Sequence, residues 1–127
     1  MKELTKAEEQ VMQHLWNLRR AFLKDIVESY PEPRPAYTTI STVIRVLVRK
    51  GFVGYKTFGK VHEYFPRVSR HSYFRGHVNA MIRNHFQGSP VQFASFFAGE
   101  GNLALGELEE IRQLIDQKIE NLKGDAS

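Results

Sequence analysis

The chain has 127 residues, of which 42% are hydrophobic and 25% are charged, and this fits one globular domain or two small ones that fold together. It contains no cysteine, which excludes disulfides, thiolate metal sites and cysteine nucleophiles and favours a reducing, cytoplasmic location. No segment approaches the roughly 20 apolar residues that span a bilayer, and the start of the chain lacks the apolar core of a signal peptide. We therefore expect no membrane insertion.

The net charge of +4 is unevenly distributed along the chain. Residues 1–66 carry eleven Lys or Arg against seven Asp or Glu, whereas the remaining residues carry seven of each sign. Six basic residues and no acidic residue lie between Glu32 and Glu63. This acid-free window favours a polyanionic partner for the first half of the chain, and a basic solvated face without a partner is the alternative interpretation.

Two helices are predicted before the first cluster of prolines. Thr5-Lys-Ala-Glu8 is a capping-box pattern, and the apolar residues after it repeat at helical spacing to about Leu18. A second, short helix is predicted from Leu23 to Tyr30. The three prolines of residues 31–35 end it, because proline cannot continue a helix and holds the chain extended.

The next segment, residues 37–51, combines opposing signals. Its many β-branched residues favour a strand, whereas the spacing of its apolar residues favours a helix. The apolar residues at helical spacing are Ile40, Val43, Ile44, Leu47 and Val48. We predict a helix in which Thr38 serves as N-cap and Gly51 takes the left-handed position after the C-terminus.

A β-hairpin and three further helices complete the predicted order. Two aromatic and β-branched runs between Phe52 and Phe65 flank the basic tip Thr57-Phe58-Gly59-Lys60, and Pro66 ends the second run. Helical spacing then returns from Phe74 to Phe86, followed by a short helix over residues 91–97 and a last amphipathic helix through Leu108 and Leu122. Gly88-Ser89-Pro90 and the Gly99–Gly101 segment separate these helices.

Three helices followed by a basic hairpin form the order of a winged helix-turn-helix, whose third helix enters the DNA major groove and whose hairpin, the wing, touches the backbone. The fold predicted is thus mostly α with a small β-hairpin. Arginine can bond guanine with its two-pronged side chain, and Ser and Thr hydroxyls can bond base edges or phosphates. The predicted DNA-binding residues are Thr38, Thr39, Ser41, Thr42, Arg45, Arg49, Lys56 and Lys60. The nearly outward Val46 is either a thymine contact or an edge of the core.

Other function classes have weaker support in the sequence. The five histidines lack the spacing of a metal-binding pair, so we expect no metal and no cofactor. No nucleophile constellation or glycine-rich phosphate loop points to an enzyme. The competing function is a winged-helix module that binds an acidic protein partner instead of DNA.

An ordered series of residues resembles the BlaI/MecI/CopY penicillinase-repressor family. The series comprises Leu4-Thr-Lys-Ala-Glu8, Val11-Met12, Leu15-Trp16, Thr39-Ile40, Thr42, Leu47, Lys50-Gly51, Gly59-Lys60 and Tyr64-Phe65-Pro66. The resemblance spans the whole chain. It implies an N-terminal winged helix-turn-helix DNA-binding domain over residues 1–67 and a C-terminal helical dimerisation domain over residues 68–127. It also implies a homodimer that represses transcription at an operator of inverted half-sites in double-stranded DNA. The dimerisation residues are then Phe74, Val78, Met81, Ile82, Phe86, Phe93, Phe96, Phe97, Leu108, Ile111, Ile115 and Ile119.

The chain departs from the family pattern at positions that matter for specificity and induction. Many members are basic at the positions of Thr38, Ser41 and Val46, so the operator sequence does not carry over. The copper-responsive branch binds metal through C-terminal cysteines, which this chain lacks. In the antibiotic-responsive branch a membrane sensor-protease triggers cleavage in the dimerisation region. The matching peptide here is Phe96-Phe97, where Phe96 replaces the usual small polar residue.

Overall fold

The computed structural model describes residues 3–126, and the chain divides into two compact units, of which the first ends at Asn79 and the second begins at Ala80. Three strands form one antiparallel sheet in the order β1-β3-β2. The elements in chain order are α1 (Lys6–Leu18), β1 (Ala21–Phe22), α2 (Leu23–Glu28), α3 (Tyr37–Arg49), β2 (Val53–Phe58), β3 (Val61–Pro66), α4 (Arg70–His85), α5 (Pro90–Glu100) and α6 (Leu105–Ala126). This order confirms the predicted fold class. Within the described residues, no helix is both long enough and apolar enough to cross a membrane.

The capping box at the start of α1 is confirmed. The Thr5 hydroxyl accepts from the Glu8 backbone N–H at 3.2 Å, and the Glu8 carboxylate accepts from the Thr5 N–H at 2.9 Å. Glu8 is buried, and its carboxylate also accepts a hydrogen bond of 2.7 Å from the ammonium of Lys50, at the end of α3. Burial raises the pKa of Glu8. Hydrogen bonds from Lys50 and Thr5 and the positive charge of Lys50 together have a larger effect in the opposite direction, so this pKa lies below its ordinary value.

The helix α3 is confirmed, but its predicted N-cap is wrong. Ala36 holds the extended cap conformation and Thr38 lies inside the first turn, so its side chain caps nothing. Pro35 leaves the residues after it free to adopt the helical conformation. Because the helix starts at Tyr37, the Ile40 N–H donates to the Ala36 carbonyl at 3.2 Å. The extra backbone hydrogen bonds of an earlier start take the place of a hydroxyl cap.

The end of α3 follows the prediction. Gly51 has a φ of +84°, which a residue with a side chain rarely adopts. The Gly51 N–H donates to the Val48 carbonyl at 3.1 Å, and the Phe52 N–H donates to the Leu47 carbonyl at 3.0 Å. This pair of bonds is a Schellman motif, which satisfies the last carbonyls of the helix and directs the chain into β2.

Other element boundaries differ from the sequence prediction. The second helix ends at Glu28, two residues before the predicted Tyr30, and the strand β1 was not predicted. Its two residues pair with Tyr64 and Glu63 of β3, and two residues are too few to show an alternating pattern. The helix α5 is longer than predicted, because Ser89 caps it in front of Pro90 and it continues through Gly99 to Glu100.

The first unit has its own core, which includes the first turn of α4. The buried apolar residues are Val11, Met12, Leu15, Trp16, Ala21, Ile26, Val27, Ile40, Ile44, Leu47, Phe52, Val53 and Tyr73. The Trp16 indole donates to the Val68 carbonyl at 2.7 Å, and the Tyr73 hydroxyl donates to the Glu9 carboxylate at 3.0 Å. The first compact unit therefore extends past residue 67, and the division into functional domains over 1–67 and 68–127 stays a prediction.

We expect Lys50→Met to lower the free energy of unfolding by about 2 kcal/mol at neutral pH, because it leaves the buried Glu8 carboxylate without its cation. The pKa of Glu8 is lower in the folded protein than its ordinary value of 4.5, so the pair stabilises the fold above that pH and the contribution is lost as pH falls through the lowered pKa. Urea unfolding of wild type and variant between about pH 3 and pH 7 measures this.

The exposed neighbouring Arg49→Met serves as the control and should unfold like wild type at each pH. A stability difference between wild type and Lys50→Met that stays constant down to about pH 3 contradicts the role given to Glu8.

Candidate nucleic-acid interface

The helix α3 buries one side and exposes the other. Ile40, Ile44 and Leu47 are buried in the core of the first unit. Of the predicted DNA-binding residues on this helix, Ser41 is half-buried and the others are exposed, namely Thr38, Thr39, Thr42, Arg45 and Arg49. The 3.6-residue period brings these side chains together on one polar surface about 20 Å long.

The wing consists of β2, β3 and the two-residue turn Gly59-Lys60 between them. Gly59 has a φ of +63°, as the first central residue of a hairpin turn requires, and it leaves Lys60 exposed at the tip. Tyr55 lies opposite Tyr64 and Thr57 opposite His62, so these four side chains share one face of the sheet. Lys56 lies opposite Glu63 and therefore belongs to the other face.

An open cleft of about 860 Å³ separates α3 from the wing within the first unit. The helix contributes its polar and basic residues to the cleft, and the wing contributes aromatic rings. The lining residues are Ser41, Thr42, Ile44, Arg45, Val48, Arg49, Tyr55, His62 and Tyr64. The structure thus brings together four of the eight predicted site residues in this cleft, and the other four are not part of its lining, namely Thr38, Thr39, Lys56 and Lys60.

The aromatic side of the cleft was missed in the sequence prediction. The ring centroids of Tyr55 and His62 are 4.3 Å apart, and Tyr64 lies 6.0 Å from each of them. The alternation of Tyr55 with Thr57 and of His62 with Tyr64 was the available signal. This alternation identifies the lining of the cleft only when the pairing of the two strands is known, because the pairing determines which residues face α3.

Most of the basic residues of the acid-free window have no acidic partner. Within residues 3–126, three ion pairs form: Arg20 with Glu63 at 4.0 Å, Arg34 with Glu32 at 3.5 Å and Lys50 with Glu8 at 2.7 Å. Lys50 is therefore paired with a buried carboxylate, whereas the pair of Arg34 and Glu32 lies at the surface. The four cations of the window that remain unpaired in the described chain are Arg45, Arg49, Lys56 and Lys60.

Two hydroxyl groups of the cleft have defined states. The Thr42 hydroxyl donates to the Thr38 carbonyl at 2.9 Å, so its oxygen is left to accept a hydrogen bond. Burial raises the pKa of Tyr64, with a further increase from Tyr55 that the nearby Arg45 guanidinium partly offsets. The Tyr64 phenol is therefore protonated at neutral pH, and the cleft carries a positive charge from α3 with no anion from the wing.

Within the described residues, no group of three or more His, Asp or Glu is placed to hold a metal ion. The chemistry that this surface offers is instead hydrogen bonding by hydroxyls and guanidinium groups with unpaired positive charge. Such a surface suits the edges of bases and the phosphates of a nucleic acid.

The second unit exposes much of its apolar surface. Neither α5 nor α6 contains a buried residue in the described chain. Four phenylalanine rings contact one another, with centroids between 5.5 and 6.2 Å apart: Phe86, Phe93, Phe96 and Phe97.

The predicted dimerisation residues differ in exposure. Phe74 belongs to the first unit, where it packs against the core with its ring 6.1 Å from that of Trp16. The half-buried members in the second unit are Met81, Ile82, Phe86, Phe93, Leu108 and Ile111. The exposed members are Val78, Phe96, Phe97, Ile115 and Ile119.

Comparison with known proteins gives consistent matches over most of the chain. A family model described as Penicillinase repressor matches residues 4–117. The methicillin resistance regulatory protein MecI of Mammaliicoccus sciuri is 26% identical over 121 residues, which cover 91% of this chain and 95% of the relative. The MecI protein of Staphylococcus aureus (strain N315) is 25% identical over the same coverage.

A solved structure supports the fold of the first unit. The solution structure of the DNA binding domain of the repressor BlaI aligns with a TM-score of 0.50 and 23% identity. The alignment covers 57% of this chain and 94% of that domain. At this identity the likeness shows a shared fold.

Proposed function

The chain belongs to the penicillinase repressor family, whose members are DNA-binding transcriptional repressors and not enzymes, and from this premise we propose how it acts. The protein is a homodimer that binds an operator of inverted half-sites in double-stranded DNA. Each subunit inserts α3 into the major groove and lays its wing against the backbone.

The polar surface of α3 is the observation that carries the proposal. It combines the unpaired Arg45 and Arg49 with four exposed or half-exposed hydroxyl side chains, and it contains no carboxylate. A helix of about 10–12 Å diameter fits the major groove, which is about 12 Å wide. A helix surface selected for solubility alone would carry Glu and Lys at such positions.

Each group on this surface has a chemical role in the proposal. Arg45 bonds the O6 and N7 atoms of a guanine, and Thr39 and Ser41 contact neighbouring base edges or phosphates. The Thr42 oxygen accepts from an adenine or cytosine amino group, since its own proton is engaged with Thr38. Arg49 and Lys60 bind phosphates on either side of the base contacts.

The second unit provides the dimer interface in this proposal. Its apolar side chains on α6 recur at helical spacing through Leu108, Ile111, Ile115, Ile119 and Leu122, and none of them is fully buried in the described chain. A second copy related by a two-fold axis buries the same stripe on both subunits. That symmetry requires two inverted half-sites with centres separated by about 34 Å or a multiple of it.

Induction by a sensor-protease stays a prediction of the family resemblance. The matching peptide bond, Phe96-Phe97, lies inside α5, and both side chains are about half exposed. Proteases bind their substrates in extended form, so cleavage here requires local unfolding of α5 first.

Replacement of Arg45 by alanine tests base recognition. We expect Arg45→Ala to weaken operator binding by about 1–3 kcal/mol while binding to random DNA falls much less, because a base contact is lost. Footprinting on the promoter upstream of the protein's own gene identifies the operator, and fluorescence anisotropy on that fragment and on a scrambled one measures both affinities.

Lys60→Ala is the matched control, since the loss of a phosphate contact weakens both DNAs alike. An equal loss on operator and scrambled DNA for Arg45→Ala contradicts base reading by this residue. Failure of the wild type to bind any promoter DNA at low salt favours the acidic protein partner instead.

Charge introduction on α6 tests the dimer. We expect Ile115→Asp to convert the protein to a monomer in sedimentation velocity, because it places a carboxylate in an apolar interface. The affinity for the operator should fall to the affinity of one subunit for one half-site. Gln113→Asp lies on the opposite side of α6 and should leave the dimer intact. A dimer that persists in Ile115→Asp excludes this stripe as the interface.

A further inference from the structure

The sheet register gives the wing two chemically different faces. The face that lines the α3 cleft carries the hydroxyl of Tyr55 and the imidazole of His62. The other face carries Lys56 directly opposite Glu63. On that second face the Glu63 carboxylate lies 4.0 Å from the Arg20 guanidinium and opposite Lys56, so a phosphate there meets a carboxylate, whereas no carboxylate lines the cleft.

We propose that the wing binds the DNA backbone through Tyr55 and His62, and not through Lys56. Thr57 is the positioning residue that orients His62. This inference rests on the proposed function, because it assumes that α3 and the wing approach the same stretch of DNA.

The hydrogen bond of Thr57 defines what His62 can offer. The Thr57 oxygen lies 3.1 Å from Nδ1 of His62, which leaves Nε2 without a partner in the described chain. When the Thr57 hydroxyl donates to Nδ1, the neutral imidazole carries its proton on Nε2. Nε2 then donates to a phosphate oxygen in the cleft.

The ring of Tyr55 supports this arrangement. Its centroid lies 4.3 Å from that of His62, and Tyr64 packs beside both rings, so the imidazole has aromatic contacts on two sides. Tyr55 itself is 46% exposed, which leaves its phenol accessible from the cleft. Arg49 lines the same cleft from α3, so a phosphate between α3 and the wing can be held from both sides.

Substitutions in the full-length protein test the assignment by operator affinity at a series of salt concentrations and about pH 8. Tyr55→Phe and His62→Phe keep the rings and remove the donors, so each should weaken binding about three- to tenfold. Their slopes of log affinity against log salt should match wild type, because a neutral donor displaces no counterion. His62→Gln keeps a donor near Nε2 and should recover most of the affinity.

Lys56→Met is the control on the opposite face and should leave both the affinity and the salt slope unchanged. Loss of affinity in Lys56→Met with a slope reduced by about 1, while Tyr55→Phe and His62→Phe bind like wild type, overturns the inference. Arg45→Ala, measured in the same series, separates the two proposals. If only this variant loses affinity, the wing assignment fails and base reading by α3 stands.

Thr57→Val tests the positioning role, because it keeps the shape of the side chain and removes the hydroxyl. We expect it to weaken operator binding as much as His62→Phe does. In the His62→Gln background the same change should have no effect, since the imidazole that Thr57 orients is gone. Additive losses in the double variant contradict a role through His62.

Discussion

The buried ion pair between Glu8 and Lys50 ties α1 to the end of α3, the helix that carries most of the candidate DNA-binding residues. It joins the first turn of α1 to the C-cap residue of α3, immediately before Gly51 turns the chain into the wing. Because one carboxylate accepts from both Thr5 and Lys50, the start of one helix and the end of another are held by the same group. The pair thus fixes the end of α3 against α1 next to Gly51, where the chain turns towards the wing.

The two units differ in how they are stabilised. Within the described residues, the first has a core of thirteen buried apolar residues, whereas the helices α5 and α6 of the second unit contain no buried residue. Proteins rarely leave such a continuous apolar surface in water. The proposed dimer therefore supplies the second unit with the core that one chain lacks, and folding of this unit becomes coupled to association.

Local signals in the sequence predicted a large part of the fold, because they arise from interactions between near neighbours. The Thr5–Glu8 capping box, the apolar period of α3 and the left-handed Gly51 each depend on residues within one or two turns. The start of α3 at Tyr37 was not predicted, because a good capping residue at Thr38 competes with the backbone bonds of an earlier start. The strand β1 and the face on which Lys56 lies depend on pairing with β3, which no local pattern reveals.

The same limit applies to the candidate site. The residues of α3 could be selected because helix geometry fixes which positions face outward. The aromatic lining of the cleft could not, because Tyr55 and His62 become neighbours only through the strand register. Charge counting also overestimates the available cations, since Arg34 and Lys50 already have acidic partners in the fold.

The number of unpaired cations affects how strongly the protein binds random DNA while it searches for its operator. Binding to random DNA depends almost entirely on phosphate neutralisation, and every internally paired cation is lost to it. Because Arg34 and Lys50 have acidic partners, four of the six cations of the acid-free window remain to hold non-specific DNA. In the proposed function, each cation paired within the chain weakens binding to random DNA, so a smaller share of the repressor is held away from its operator.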